Sequence, residues 1–252
     1  MTTDGRARDD SPGDLGSIAA LAEPNRRSLF DFVTTRRDWV SRDQAADGVG
    51  LRRGIAAHHL DRLAADGLLE TDYRHLSERR GPGSGRPAKV YRRSPTEFGV
   101  TLPPRRYDLA GQLLAEAVER ALADSTPIDE AVERAARTEG HRIGTAANET
   151  LGRRSSRAAR RSGVMDQLRA HGFEPEALAG GRVVLHNCPF HSLAEEHTDL
   201  ICGMNQCLLD GILSAVEGTD LAARLEPEDG FCCVRLHPAA KTRTAAPDQP
   251  DR

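Results

Sequence analysis

The stretch Ser41–Arg93, SRDQAADGVGLRRGIAAHHLDRLAADGLLETDYRHLSERRGPGSGRPAKVYRR, constrains the chain more than any other. Ser41, Arg42, Asp43 and Gln44 have the form of a capping box, in which the Ser hydroxyl and the Gln side chain each satisfy a free amide at a helix start. Ala45 and Ala46 are small enough for close helix packing, and Gly50 supplies a turn. A second helix is predicted from about Leu51 to Ala65, closed by Gly67 as its C-cap. Leu68–Tyr73 and Ala88–Tyr91 read as two strands around a loop with glycines at 81, 83 and 85. Helix, turn, helix, strand, basic loop, strand is the order of a winged helix-turn-helix, a DNA-binding unit.

At about 100° per residue, a helical wheel puts Ile55, His59, Leu60 and Leu63 on one face of the second helix. Arg53, Gly54, Ala57, His58 and Asp61 fall on the other. The first set is expected to fold inward and the second to meet a groove. Arg52 and Arg53 sit in the first turn, the part of a recognition helix that reaches base edges. Gly54 and Ala57 let the backbone come close to DNA. From Leu69 to Arg93 there are seven basic residues against three acidic ones, so the loop and its strands are locally positive although the whole chain carries −3. Gly85-Arg86-Pro87 matches the short core by which extended arginine segments enter a narrow minor groove. Arg52, Arg53, Ala57, His58, Arg79, Arg80, Arg86 and Lys89 are therefore the candidate DNA-binding residues. The plainer alternative is a solvated basic loop on a helical domain that binds protein.

The 252 residues suit two domains better than one, and 38% hydrophobic with 29% charged residues is enough for folded cores. With only 4% aromatics, those cores must lean on Leu, Val and Ala. No run approaches a membrane span, and MTTDGRARDDSPGDLG lacks the apolar core of a signal peptide, so a cytoplasmic protein is expected. Residues 1–14 read as a disordered tail. Ile18, Leu21, Leu29, Phe30, Phe32 and Val33 fall close to helical spacing across Pro24, which suits a first helical turn. Thr96–Pro104 reads as a linker. From Arg106 the apolar stripe Tyr107, Leu109, Leu113, Leu114, Ala117, Val118, Ala121 and Leu122 predicts a helix that either pairs two copies or packs on its own chain. A further helix is expected from Ile128 to Ala147. The five arginines between Leu151 and Ser162 read as a solvated helix face. The last fifteen residues, from Pro238, read as a second tail.

All five cysteines, Cys188, Cys202, Cys207, Cys232 and Cys233, lie in the last quarter of the chain. In a reducing compartment such a set points to metal or redox chemistry, with a small-hydrophobe role in the core as the alternative. Thirteen residues separate Cys188 from Cys202, and twenty-nine separate Cys202 from Cys232. Zinc usually grips CxxC-type pairs, which are absent, so zinc is the lesser expectation. Widely spaced thiolates on different elements suit an iron–sulfur cluster. The fourth donor stays open among Cys207, Cys233, His191 and His197. Cys207 lies about 140° round a helix from Cys202, so it could join only if that helix breaks near Gly203. Cys233, on a strand read as Phe231–Leu236, would point away from Cys232.

With EPNRRSLFDFV, IAAHHLDRLAADGLL, GPGSGRPAKVYRR, NCPF…IC and GFCCVRL in hand, the chain resembles the ArsR-like winged-helix regulators with a C-terminal cysteine domain, among them the SufR-type iron–sulfur repressors. The likeness spans most of residues 20–237. It implies a homodimeric transcription regulator of double-stranded DNA, with repression the expected sense, whose affinity follows the state of a cluster. By position, Cys188, Cys202 and Cys232 correspond to the three cysteines that hold it, although the first interval is one residue longer here.

The expected fold class is α+β, in five parts: a tail (1–14), the winged helix-turn-helix domain (15–100), a helical linker or dimerisation region (101–162), a mixed α/β cysteine-containing effector domain (163–237) and a tail (238–252). A metal-free effector domain for a small molecule is the competing function. An enzyme using Cys188 and His191 has only their proximity in its favour, because the chain carries no phosphate-binding glycine motif and no HExxH.

Overall fold

Helix-forming and strand-forming segments alternate along the chain, and the protein is accordingly mixed α and β, with nine α-helices and seven strands among the described residues. The computed structural model describes residues 12–75, 86–152 and 154–239. Contacts divide the chain after Val100 into two compact units. No helix among the described residues is long and apolar enough to cross a membrane.

In the first unit, α1 (Pro12–Ala20) begins inside the stretch expected to be tail. Helix α2 (Pro24–Thr34) has Pro24 at its start and buries Leu29 and Val33. A two-residue strand β1 (Val40–Ser41) leads into α3 (Arg42–Val49), whose capping box is present in full: Ser41 accepts from the Gln44 amide while Gln44 accepts from the Ser41 amide. Gly50 closes α3 with φ 71°, a left-handed conformation that favours glycine. Helix α4 (Arg53–Ala65) follows, and then β2 (Leu69–Arg74), shifted by one residue from the expected strand, and β3 (Ala88–Arg93), two residues longer than expected, form an antiparallel sheet in the order β1-β3-β2. The unit closes on Leu29, Val33, Ala56, Leu60, Leu63 and Tyr91, all fully buried. Here one expectation fails. Ile55 is 43% exposed while Ala56 is buried, so the inward face of α4 runs through Ala56, Leu60 and Leu63. The wheel places Leu60 and Leu63 rightly and misplaces Ile55, because α4 settles on α2 and α3 through the smaller Ala56.

The second unit contains α5 (Tyr107–Asp124), α6 (Ile128–Thr150), α7 (Arg157–Ala170), β4 (Pro175–Ala177), β5 (Val183–Leu185), α8 (His191–Glu196), α9 (Thr198–Ala215), β6 (Leu221–Leu225) and β7 (Val234–Pro238). Its antiparallel sheet has the order β4-β5-β7-β6. Helices α6 and α9 cross at glycines: a methyl group on Gly140 would overlap the Leu208 carbonyl, and one on Gly211 the Arg137 carbonyl. Bare backbones meeting there bring α9, the carrier of Cys202, hard against α6. Three of the arginines expected to form a solvated face instead tie loops down. Arg160 donates to the Glu217 carbonyl at 2.9 Å and Arg161 to the Thr219 carbonyl at 2.8 Å, while Arg157 pairs with Asp220. Pro238, expected in the tail, ends β7.

Candidate functional site

Two sets of side chains carry chemistry, one in each unit. On the first unit, the start of α4 exposes Arg52, Arg53, Gly54, Ile55 and His58, and Ala57 is half-buried beneath them. The Arg53 guanidinium lies 2.5 Å from the Asp43 carboxylate, so the turn between α3 and α4 is braced across its outer face. Arg86 is exposed at the approach to β3, whereas Arg79 and Arg80 lie outside the described residues. Two guanidinium groups pack on the Trp39 ring, Arg74 at 4.6 Å and Arg92 at 4.5 Å from its centre.

Lys89 has an inward role that its sequence position conceals. Its ammonium donates to Asp61 at 2.7 Å, and Tyr91 (2.6 Å) and Arg42 (2.8 Å) donate to the same carboxylate. Asp61, expected to face a groove, thus joins α3, α4 and β3. Partial burial would raise its pKa, but the bonds from Lys89, Tyr91 and Arg42 outweigh this and hold it at about 2. The Tyr91 hydroxyl is pushed up by burial and by its bond to Asp61.

On the second unit, three elements bring four thiols together. Cys188 follows β5, Cys202 lies in the second turn of α9, and Cys232 and Cys233 end the loop from β6 to β7. The Cys232 amide donates to the Leu185 carbonyl at 2.8 Å, which fixes that loop beside the end of β5. Because β7 begins only at Val234, strand alternation does not separate Cys232 from Cys233, and both line one cleft with Cys188, His191 and Glu195. The thiols shift one another's ionisation in two pairs, Cys188 by a side-chain bond with Cys232 and Cys202 by one with Cys233. Cys188 is held below the usual thiol range, first by that bond from Cys232 and, against the push of burial, by the Phe190 amide and the Arg105 charge. Cys232 is pushed up by its bond to Cys188 and by burial; Cys202 is pushed up to about 12, chiefly by burial. Cys188 is therefore where negative charge is held most readily in the group.

Helix α9 is unbroken at Gly203, so Cys207 lies on another face, with the Arg137 guanidinium donating to its sulfur at 3.3 Å. His191 pairs with Glu195 at 3.3 Å on the cleft wall, and His197 is exposed at the junction of α8 and α9. Among the described residues no three His, Cys, Asp or Glu side chains converge as ligands of one metal ion.

Two supporting residues escape a reading of the sequence. Asn205, 1% exposed, donates to the Cys232 sulfur at 3.3 Å, and its Oδ1 has no partner among the described residues. Arg105 donates to the Cys188 carbonyl at 3.1 Å and to Asn187 Oδ1, while Asn187 donates to the Pro104 and Gly172 carbonyls. The NCPF motif was the available signal for Asn187; nothing local marks Arg105. No protein-family model, curated protein or solved structure matches the chain.

Proposed function

We propose that the protein is a DNA-binding transcriptional regulator. The first unit acts as a winged helix-turn-helix on double-stranded DNA, and the cysteine-bearing unit sets its affinity. The observation that carries the reading is the exposed start of α4, where Arg52, Arg53 and His58 are open to solvent, on the helix whose Asp61 is bonded to Lys89 and Tyr91 of β3. Bracing by Asp43 and the Asp61 network hold that helix rigid, as readout of base edges requires. The likeness of GPGSGRPAKVYRR and GFCCVRL to ArsR-like regulators adds support. Action as a homodimer is favoured by α5, which buries Leu109 and Leu113 yet leaves Val118 48% and Leu122 81% exposed on its other side.

The thiol group suits an iron–sulfur cluster in its donor chemistry, because sulfurs come from separate elements of the second unit. Cys188, Cys202 and Cys232 would hold it, with Cys233 the nearest further thiol. A bound cluster would supply one-electron redox chemistry. The protein's own part is to orient the sulfurs: Asn205 donates to Cys232, and Arg105 anchors the turn that carries Cys188. A second reading, a small-molecule effector site, is favoured by the cleft itself, whose volume of about 400 Å³ falls within the range of ligand pockets.

Selection from a random duplex library, followed by binding titrations, tests the regulator. A defined sequence should be enriched, and changing Arg53 and His58 to Ala should abolish discrimination between it and random DNA. Unchanged discrimination in that double variant would remove α4 from the recognition role.

A further inference from the structure

We infer that Arg53 reads a guanine in the major groove, and that Asp43 is the positioning residue that aims it. The assignment rests on the DNA-binding role proposed for the first unit and names one base that α4 selects. Arg53 is the first residue of α4, and Asp43 lies in the first turn of α3, just inside the Ser41 cap. The Arg53 Nε donates to Asp43 Oδ1 at 2.5 Å, and neither Nη group has a partner among the described residues. The two side chains are 70% and 60% exposed. An ion pair so open to water adds little stability, so holding the guanidinium plane is the larger consequence of this one.

With Nε taken, the two Nη groups remain as a parallel pair of donors. Guanine presents O6 and N7 as a matching pair of acceptors, and no other base offers two acceptors in the major groove. A phosphate also accepts two bonds, but the Asp43 carboxylate stands against the same guanidinium and repels a second anion, whereas a base edge is neutral. Arg52 is exposed too, yet it has no carboxylate partner among the described residues, so nothing there fixes its plane.

Selection from a random duplex library, run in parallel on full-length wild type, Arg53→Ala, Arg52→Ala and Asp43→Ala, tests this. The wild-type motif should hold a guanine whose preference disappears in Arg53→Ala, stays in Arg52→Ala and falls about fivefold in Asp43→Ala. The other positions of the motif should keep their preferences in Arg53→Ala and Asp43→Ala, and the affinity of Asp43→Ala for random DNA should not fall. A merely structural role for Asp43 would lower all of these together. In the enriched duplex, 7-deazaguanine at that position lacks the N7 acceptor; it should weaken wild-type binding about tenfold and leave Arg53→Ala binding unchanged. A guanine preference that survives Arg53→Ala, or that Arg52→Ala removes instead, would overturn the assignment. So would a lower salt slope in Arg53→Ala with every base preference intact, the mark of a phosphate contact. Full guanine preference in Asp43→Ala would remove Asp43 from its role, and Asp43→Asn, which keeps the side chain's size and loses its charge, supplies the same comparison if Asp43→Ala does not fold. Failure of the wild type to enrich any sequence would instead refute the regulator reading itself, a result distinct from the others.

Discussion

The Arg105 guanidinium donates to the backbone carbonyl of Cys188 at 3.1 Å. Arg105 lies at the beginning of the second unit, just past Val100, so the chain arriving from the first unit is fastened to the turn that carries a thiol. The Arg106 amide reinforces the attachment by donating to the Pro189 carbonyl at 2.9 Å. Arg105 is thus the contact through which a change at Cys188 would reach that part of the chain. Arg105→Ala should leave cysteine reactions intact yet reduce the difference in DNA affinity between oxidised and reduced protein, by about fivefold or more (about 1 kcal/mol). Binding titrations in both redox states measure it.

Asp61 makes the first unit sensitive to acid. Its carboxyl is held at about 2, below the ordinary value of 3.8, so its stabilising effect is present above pH 4 and is lost as pH falls toward 2. The side chain is 43% exposed, and solvent screening reduces the contribution to about 1 kcal/mol. Asp61→Asn should lose that amount at neutral pH and be less sensitive to pH between 4 and 2. Trp39 is the only tryptophan, so its fluorescence during urea unfolding reports this unit alone.

Lys89 and Arg86 should behave differently although both are basic residues of the expected wing. Lys89→Ala breaks the Asp61 network and should lower the urea midpoint. Arg86→Ala should leave the midpoint unchanged, weaken DNA binding across sequences and reduce the salt slope by about 1.

The glycine crossing of α6 and α9 sets the position of Cys202. Gly140→Ala gains helix propensity but meets the Leu208 carbonyl, so the second unit should lose about 2 kcal/mol or more. Gly203→Ala, on the same α9 with open space around its position, should instead gain about 0.5–1 kcal/mol. Thermal unfolding followed by circular dichroism separates the two.

Local rules made the first unit legible. The Ser41–Gln44 capping box and the left-handed Gly50 need only neighbours in sequence to be recognised. What escaped was non-local. The phase of α4 depends on Ala56 packing under α2 and α3, and Lys89 turns inward because Asp61, 28 residues earlier, draws it. At the cysteines, sequence placed Cys188, Cys202 and Cys232 on separate elements, and Cys188 and Cys232 do line one cleft, together with Cys233. Cys233 was misjudged because β7 starts three residues later than its apolar run suggests.

The proposed regulation rests on one coupling, between the thiol group and DNA. The direct measurement is the Kd for a selected duplex, taken side by side on protein carrying an iron–sulfur group and on the metal-free reduced protein at one salt concentration. A change of tenfold or more, about 1.4 kcal/mol, is the predicted result. Equal affinity in the two forms would contradict the account.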